Sequence, residues 1–152
     1  MAYSLGIDCS TQSISAIVID LDNDKLVCEH SINFGDRLPD YDSPNGFFNG
    51  KSQDEVYSNP LMWLDAIDLL FNELKDLCKL DNVKAISGAG QQHGSVYLNS
   101  NWFKVIGQLD FKKSISSQVK PCLSRSKSPI WMDTSTTLEC QEIAQALGGN
   151  EI

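Results

Sequence analysis

The sequence predicts an α/β domain built on a mixed β-sheet with helices on its faces. Three observations predict it. Short apolar runs with period-two patterning crowd the first 34 residues. One long amphipathic helix follows at residues 60–79. A further apolar run at residues 83–89 then returns to strand character. Strands first, then strands alternating with helices, place helices on a sheet rather than in a bundle.

Residues 3–8 read as the first strand and 13–20 (SISAIVID) as the second. In the second, Ile14, Ala16 and Val18 point one way and Ile17 and Ile19 the other, so it is expected to be central and covered on both faces. Leu21-Asp22-Asn23-Asp24 supplies turn residues, and residues 25–34 make a third strand, completing a β-meander. Residues 35–59, rich in Gly, Pro, Asn and Asp, read as a long loop with a short extended piece at 46–49. In the long helix, Leu64, Ile67, Phe71, Leu74 and Cys78 form the apolar stripe. Asp65, Asp68, Asn72, Glu73 and Asp76 mark its solvent side, and Pro60 suits its first turn. A fifth strand is expected at residues 95–99. Residues 101–128, basic and Ser-rich in part, read as a surface loop or insertion. A last helix is expected at about 137–147, with Thr136 and Glu139 at capping-box spacing and Gly148-Gly149 as its stop.

Composition narrows the function. With 152 residues, 41% of them apolar and 21% charged, the chain can build one ordinary globular core. A net charge of −8 argues against nucleic acid and against an anionic membrane surface as partners. An anionic ligand would need local backbone donors or a metal to offset that charge. Cys9, Cys28, Cys78, Cys122 and Cys140 include no C-x-x-C pair, and no basic segment precedes the first strand. Both features favour a reducing, cytoplasmic location. No apolar run approaches the roughly 18 residues that span a bilayer.

Three stretches carry candidate chemistry. "GIDCSTQS" (residues 6–13) forms the first hairpin turn. Its backbone N–H groups can line an anion nest, with Ser10 and Thr11 adding hydroxyl donors. Asp8 can hold Mg²⁺ through water, since magnesium keeps most of its hydration. It is not a P-loop, and plain turn chemistry is the alternative reading. "GAGQQHGS" (residues 88–95) follows a strand, so Gln91, Gln92 and His93 project where α/β sheets place ligands. Amides and an imidazole suit sugar or polyol hydroxyls; a polar loop with one solvated His is the alternative. "IWMDTST" (residues 130–136) offers Trp131 as a pocket wall and Asp133 as a ligand contact, unless Asp133 and Ser135 only satisfy the helix N-terminus.

In this order, the three stretches resemble the N-terminal part of the FGGY carbohydrate kinases, across essentially the whole chain. "GIDCSTQS" looks like that family's first phosphate motif, "GQQHGSVY" and "IWMDTSTT" look like landmarks of its xylulose kinases, and the longer loops at residues 35–59 and 101–128 look like the eukaryotic-type branch. The resemblance implies a ribonuclease H-like, actin-like ATPase fold and phosphate transfer from MgATP to D-xylulose, giving D-xylulose 5-phosphate. It implies ATP and Mg²⁺ as cofactors, with Asp8, Ser10, Thr11 and Gln12 around the phosphates. Gln92 and His93, with Asp133, would then meet the sugar. Residues 1–152 would form part of the first lobe, with the general base and the second lobe beyond Ile152. On its own such a piece is expected to be inactive, and its unsealed apolar face favours self-association. Another sugar or polyol kinase of the family, or a non-catalytic sugar- or partner-binding module, remains the alternative.

Overall fold

The computed structural model describes residues 1–149, so the expected domain boundary at 152 lies outside the described residues. The chain runs β1 (Tyr3–Cys9), β2 (Ser13–Asp20), β3 (Lys25–Asn33), α1 (Phe34–Arg37), β4 (Phe48–Asn49), β5 (Val56–Ser58) and α2 (Pro60–Leu77). It continues with β6 (Val83–Gly90), α3 (Trp102–Val105), α4 (Ile115–Val119), β7 (Ser128–Pro129) and α5 (Thr137–Ala146). Four strands form the main sheet in the order β3-β2-β1-β6, with β1 antiparallel to β2 and parallel to β6. The sheet is therefore mixed, as expected. A small sheet, β4-β5-β7, stands apart from it.

The core lies between the main sheet and α2. Tyr3 and Leu5 of β1, Ile14, Ala16 and Val18 of β2 and Ile32 of β3 are buried against Met62, Ala66, Leu70 and Leu74 of α2. The helical spacing is four residues throughout, which aims one stripe at the sheet. That stripe is rotated from the expected one: Ile67, Phe71 and Cys78 flank the core, and only Leu74 of the expected set lies at its centre. Each of the fully buried Leu, Ile, Val and Met side chains contributes about 1.5–3 kcal/mol by leaving water. Asn59 caps α2 by accepting from Leu61 N–H at 3.0 Å, and Pro60 occupies the first turn as expected.

Four expectations need correction. β2 is central but covered on one face only: Ile17 and Ile19 are 42% and 38% exposed. The alternation put apolar residues on both faces, but among the described residues no helix packs on the second. Residues 95–99 are not a strand. They run extended beside residues 122–129, held by Leu98 opposite Leu123 and by Ser95 N–H on the Pro129 carbonyl at 3.1 Å. Residues 101–128 are no mere surface loop, because α4 packs on α2 and Val119 and Cys122 are buried. Thr136 makes no capping bond: its φ of −95° and ψ of 21° are not the extended backbone from which a cap side chain reaches the free N–H groups of the first turn. The Gly148-Gly149 stop is present, with both φ angles positive.

The acidic side of α2 also does more than face solvent. Asp65 accepts from the Tyr41 hydroxyl, and Asp68 accepts from Ile115 N–H at 3.0 Å at the start of α4. Glu73 accepts from Arg37 of α1 and pairs with His30 of β3. These bonds moor the long connections to the helix. The hydrogen bonds from Arg37 and then His30 hold the Glu73 carboxyl below its usual value of 4.5. A depressed carboxyl contributes stability above its unfolded value and loses it as the pH falls through the folded one. Thermal melts are expected to show stability falling on acidification below about pH 4.5. Glu73→Gln should melt lower at pH 7 and show a flatter decline in the acid range.

Candidate functional site

The site begins with the tight turn that joins β1 to β2. Cys9 opposite Ile14 is the last rung of the pair, and Ser10 N–H closes the turn on the Ser13 carbonyl at 2.9 Å. Alternation along β1 sends Leu5 to the core and Asp8 to the open face, where Asp8 is exposed. Ser10 Oγ donates to Asp8 Oδ2 at 2.6 Å. This bond fixes one carboxylate oxygen and leaves Oδ1 free. The N–H groups of Thr11 and Gln12 have no acceptor among the described residues. Two free amides and a free carboxylate oxygen therefore share the tip of one turn.

The turn is held from behind by the long connection after β3. Gly46 has a φ of +79°, and a Cβ there would lie 1.9 Å from the Thr11 carbonyl oxygen. Glycine is thus required twice at this position, for its backbone and for its lack of bulk. Ser58 of β5 is buried and donates to the Gly46 carbonyl at 2.6 Å, tying the small sheet to the turn.

The second and third motifs converge on the same turn. β6 runs parallel to β1, so its C-terminal end arrives beside the turn, with Asp8 opposite Ala89 and Cys9 opposite Gly90. Gln91 N–H then donates to the Cys9 carbonyl at 2.9 Å, and Thr11 Oγ1 lies 3.4 Å from Gln91 Oε1. From the third motif, Trp131 Nε1 donates to Thr11 Oγ1 at 3.1 Å. Trp131, Phe47 and Met132 wall a cavity of about 370 Å³ that Ser10, Thr11 and Gln12 line from the other side.

Of the other expected site residues, Gln92 and His93 lie just past this junction, exposed, with His93 at a φ of +58°. Asp133 is half-buried and already engaged. It accepts from Val56 N–H at 3.0 Å, Ser135 N–H at 3.2 Å and Ser135 Oγ at 2.6 Å. Burial pushes its carboxyl up. The Ser135 hydroxyl, the Val56 and Ser135 amides and the Lys127 charge outweigh that and hold it below the usual carboxylate range. The alternative reading, Asp133 and Ser135 satisfying the N-terminus of α5, does not hold: Asp133 bonds Val56 of β5 and Ser135 ahead of the helix, and α5 has no side-chain cap. Gly46 and Phe47 were missed by the sequence reading, since nothing local marks a loop glycine as a packing partner of a distant turn.

No protein-family model matches the chain. Over 148 residues it is 40% identical to xylulose kinase 2 of Arabidopsis thaliana, covering 95% of this chain and 26% of that protein. Over 146 residues it is 42% identical to the xylulose kinase of Schizosaccharomyces pombe, covering 95% of this chain and 25% of that protein. The chain is similar to xylulose kinases over nearly all of its length. It spans about a quarter of the length of these relatives. Among solved structures, it superposes on the xylulose kinase of Bifidobacterium adolescentis with a TM-score of 0.59 at 22% identity, covering 97% of this chain and 21% of that one. It superposes on the glycerol kinase of Plasmodium falciparum, solved with ADP, with a TM-score of 0.56 at 15% identity, covering 95% of this chain and 23% of that one. At such identities the likeness shows the fold: the α/β, actin-like ATPase fold of the FGGY sugar kinases. No helix among the described residues is long and apolar enough to cross a membrane.

Two measurements check this geometry. Gly46→Ala is expected to lose about 1–3 kcal/mol from the left-handed backbone alone, and more from the clash with Thr11, in urea unfolding. Burial, and then the nearby Asp8 charge, push the Cys9 thiol up to about 11. At neutral pH, iodoacetamide followed by peptide mass spectrometry should label exposed Cys140 readily and Cys9 slowly.

Proposed function

We propose that this chain is part of one lobe of a sugar kinase that transfers the γ-phosphate of MgATP to D-xylulose. One observation carries the reading: three separated motifs meet at a single turn that presents two free backbone amides beside a free carboxylate oxygen. The similarity to xylulose kinases supports the sugar, and the glycerol kinase neighbour solved with ADP supports the nucleotide.

The residues present fit MgATP. Thr11 and Gln12 N–H groups suit phosphate oxygens, as backbone nests do. Asp8 offers one carboxylate oxygen, enough for Mg²⁺ held through its own water. The described residues contain no group of three or more His, Cys, Asp or Glu side chains able to hold a metal directly. Bound there, MgATP supplies the phosphoryl group, and the metal neutralises charge as it develops. The protein's task is to position and to screen. The amides hold the phosphates, Ser10 holds the Asp8 carboxylate in one orientation, and Gln92 and His93 hydrogen-bond sugar hydroxyls beside the turn. We assign Asp133 a supporting role, keeping the Trp131 segment against β5. The general base, the adenine pocket and the second lobe fall to the greater length of the relatives that this chain does not span. A cytoplasmic location is in keeping with five free cysteines.

The test is ADP release by the natural-length protein with MgATP and xylulose, ribulose, glycerol or gluconate. Xylulose should be preferred. Asp8→Ala should lower kcat by about 10²–10³-fold, as removal of a key electrostatic group does. His93→Ala should raise the KM for xylulose by about tenfold, the worth of a good hydrogen bond. Turnover that ignores the sugar offered, or that survives both substitutions, defeats the assignment.

A further inference from the structure

The Gln91 amide is the unexplained group at this junction. Its Nε2 is buried and has no acceptor among the described residues, while its Oε1 faces Thr11 at 3.4 Å. A buried N–H without a partner is costlier to leave than a buried carbonyl. Turning the amide end for end lets Nε2 donate to Thr11 Oγ1 and leaves the oxygen as the unpaired atom. Thr11 Oγ1 then accepts from Gln91 and from Trp131 Nε1, and its own proton is released toward the cavity side. Two donors on one hydroxyl oxygen also polarise that O–H.

The arrangement spans two regions. Gln91 adjoins Gln92 and His93, and its backbone is bonded to Cys9 at the root of the turn. Trp131 is 55% exposed and walls the cavity. A shift of the Gln91–His93 loop or of the Trp131 segment would therefore disturb a contact of the Thr11 hydroxyl. We infer that Gln91 and Trp131 are positioning residues that set the Thr11 hydroxyl and so couple occupancy of the sugar loop to nucleotide binding at the turn. This rests on the kinase reading for the identity of the two ligands, although the hydrogen-bonded link stands on geometry alone.

The experiment uses the natural-length protein with Trp131→Phe, Gln91→Met and Thr11→Val, singly and paired with Thr11→Val. MgADP affinity is measured by titration calorimetry with and without saturating xylulose. The factor by which xylulose tightens MgADP is the coupling. Trp131→Phe and Gln91→Met should each reduce that factor by about 3- to 10-fold, the range of one hydrogen bond. In the Thr11→Val background neither should reduce it further. Unchanged factors in the single variants, effects that multiply in the pairs, or no coupling in the unsubstituted protein overturn the inference. Indole N–H resonances provide the second readout. The peak that Trp131→Phe removes should shift in Thr11→Val, and an unmoved peak refutes the link. Phosphate transfer is followed alongside. Transfer with unchanged factors refutes this inference and leaves the kinase standing; no transfer to any sugar removes the kinase reading, while the indole peak still decides the link.

Discussion

The four-residue turn between β1 and β2 is the constraint on which the rest of the site depends. It must be short, because Ser10 closes directly on Ser13. It must also be rigid, because it is gripped from three sides: Gly46 presses on the Thr11 carbonyl, Gln91 bonds the Cys9 carbonyl, and Trp131 donates to the Thr11 hydroxyl. Each grip comes from a different part of the chain. A turn left to itself would sample several conformations and point its amides in several directions. Held this way, it keeps two N–H groups aimed from one place without any side chain of positive charge.

That matters for a chain whose net charge is −8. An acidic protein that binds phosphates cannot rely on its overall field, which repels them. In the proposed kinase, backbone dipoles would provide local attraction at short range, and a metal brought with the nucleotide would provide the rest. The hydroxyls contribute differently from expectation. Ser10 directs its proton to Asp8 rather than outward, and Thr11 is bound into a link with Gln91 and Trp131. In this turn the Ser10 hydroxyl orients a carboxylate, the Thr11 hydroxyl is set by its two neighbours, and two backbone amides are free donors.

The same economy appears in the sheet. One face is sealed by α2 with a stripe of Met62, Ala66, Leu70 and Leu74, and the other carries Asp8 with Ile17 and Ile19 partly exposed. Because β-strand side chains alternate, the strand that anchors the core through Leu5 necessarily shows Asp8 on the opposite side. Core and site are thus two faces of one strand. The connections that follow are moored through acids of α2, so the helix serves as packing on one side and as a hydrogen-bonding rail on the other.

Much of this was legible in the sequence. The period of two in residues 3–20, the period near four in residues 60–77 and the turn chemistry between them determined a mixed sheet with a packed helix. The polar turn, the glutamine-histidine loop and the tryptophan segment stood out as departures from those periods, and their order carried the resemblance to sugar kinases. What periodicity could not supply was rotation and partnership. It set the apolar stripe of α2 off-centre, gave β2 a second cover that is absent among the described residues, and read residues 101–128 as a surface loop or insertion although α4 packs on α2. It also assigned Thr136 a cap that its backbone conformation does not allow. Local pattern reflects what each residue prefers, and that is enough to determine elements and to mark polar exceptions. Which exceptions meet is decided by pairing across dozens of residues: the parallel β1–β6 ladder brings Gln91 to Thr11, and the small sheet carries Gly46 and Trp131 to the same point. Those contacts exist only once the chain has closed on itself, so only the tertiary structure could decide them.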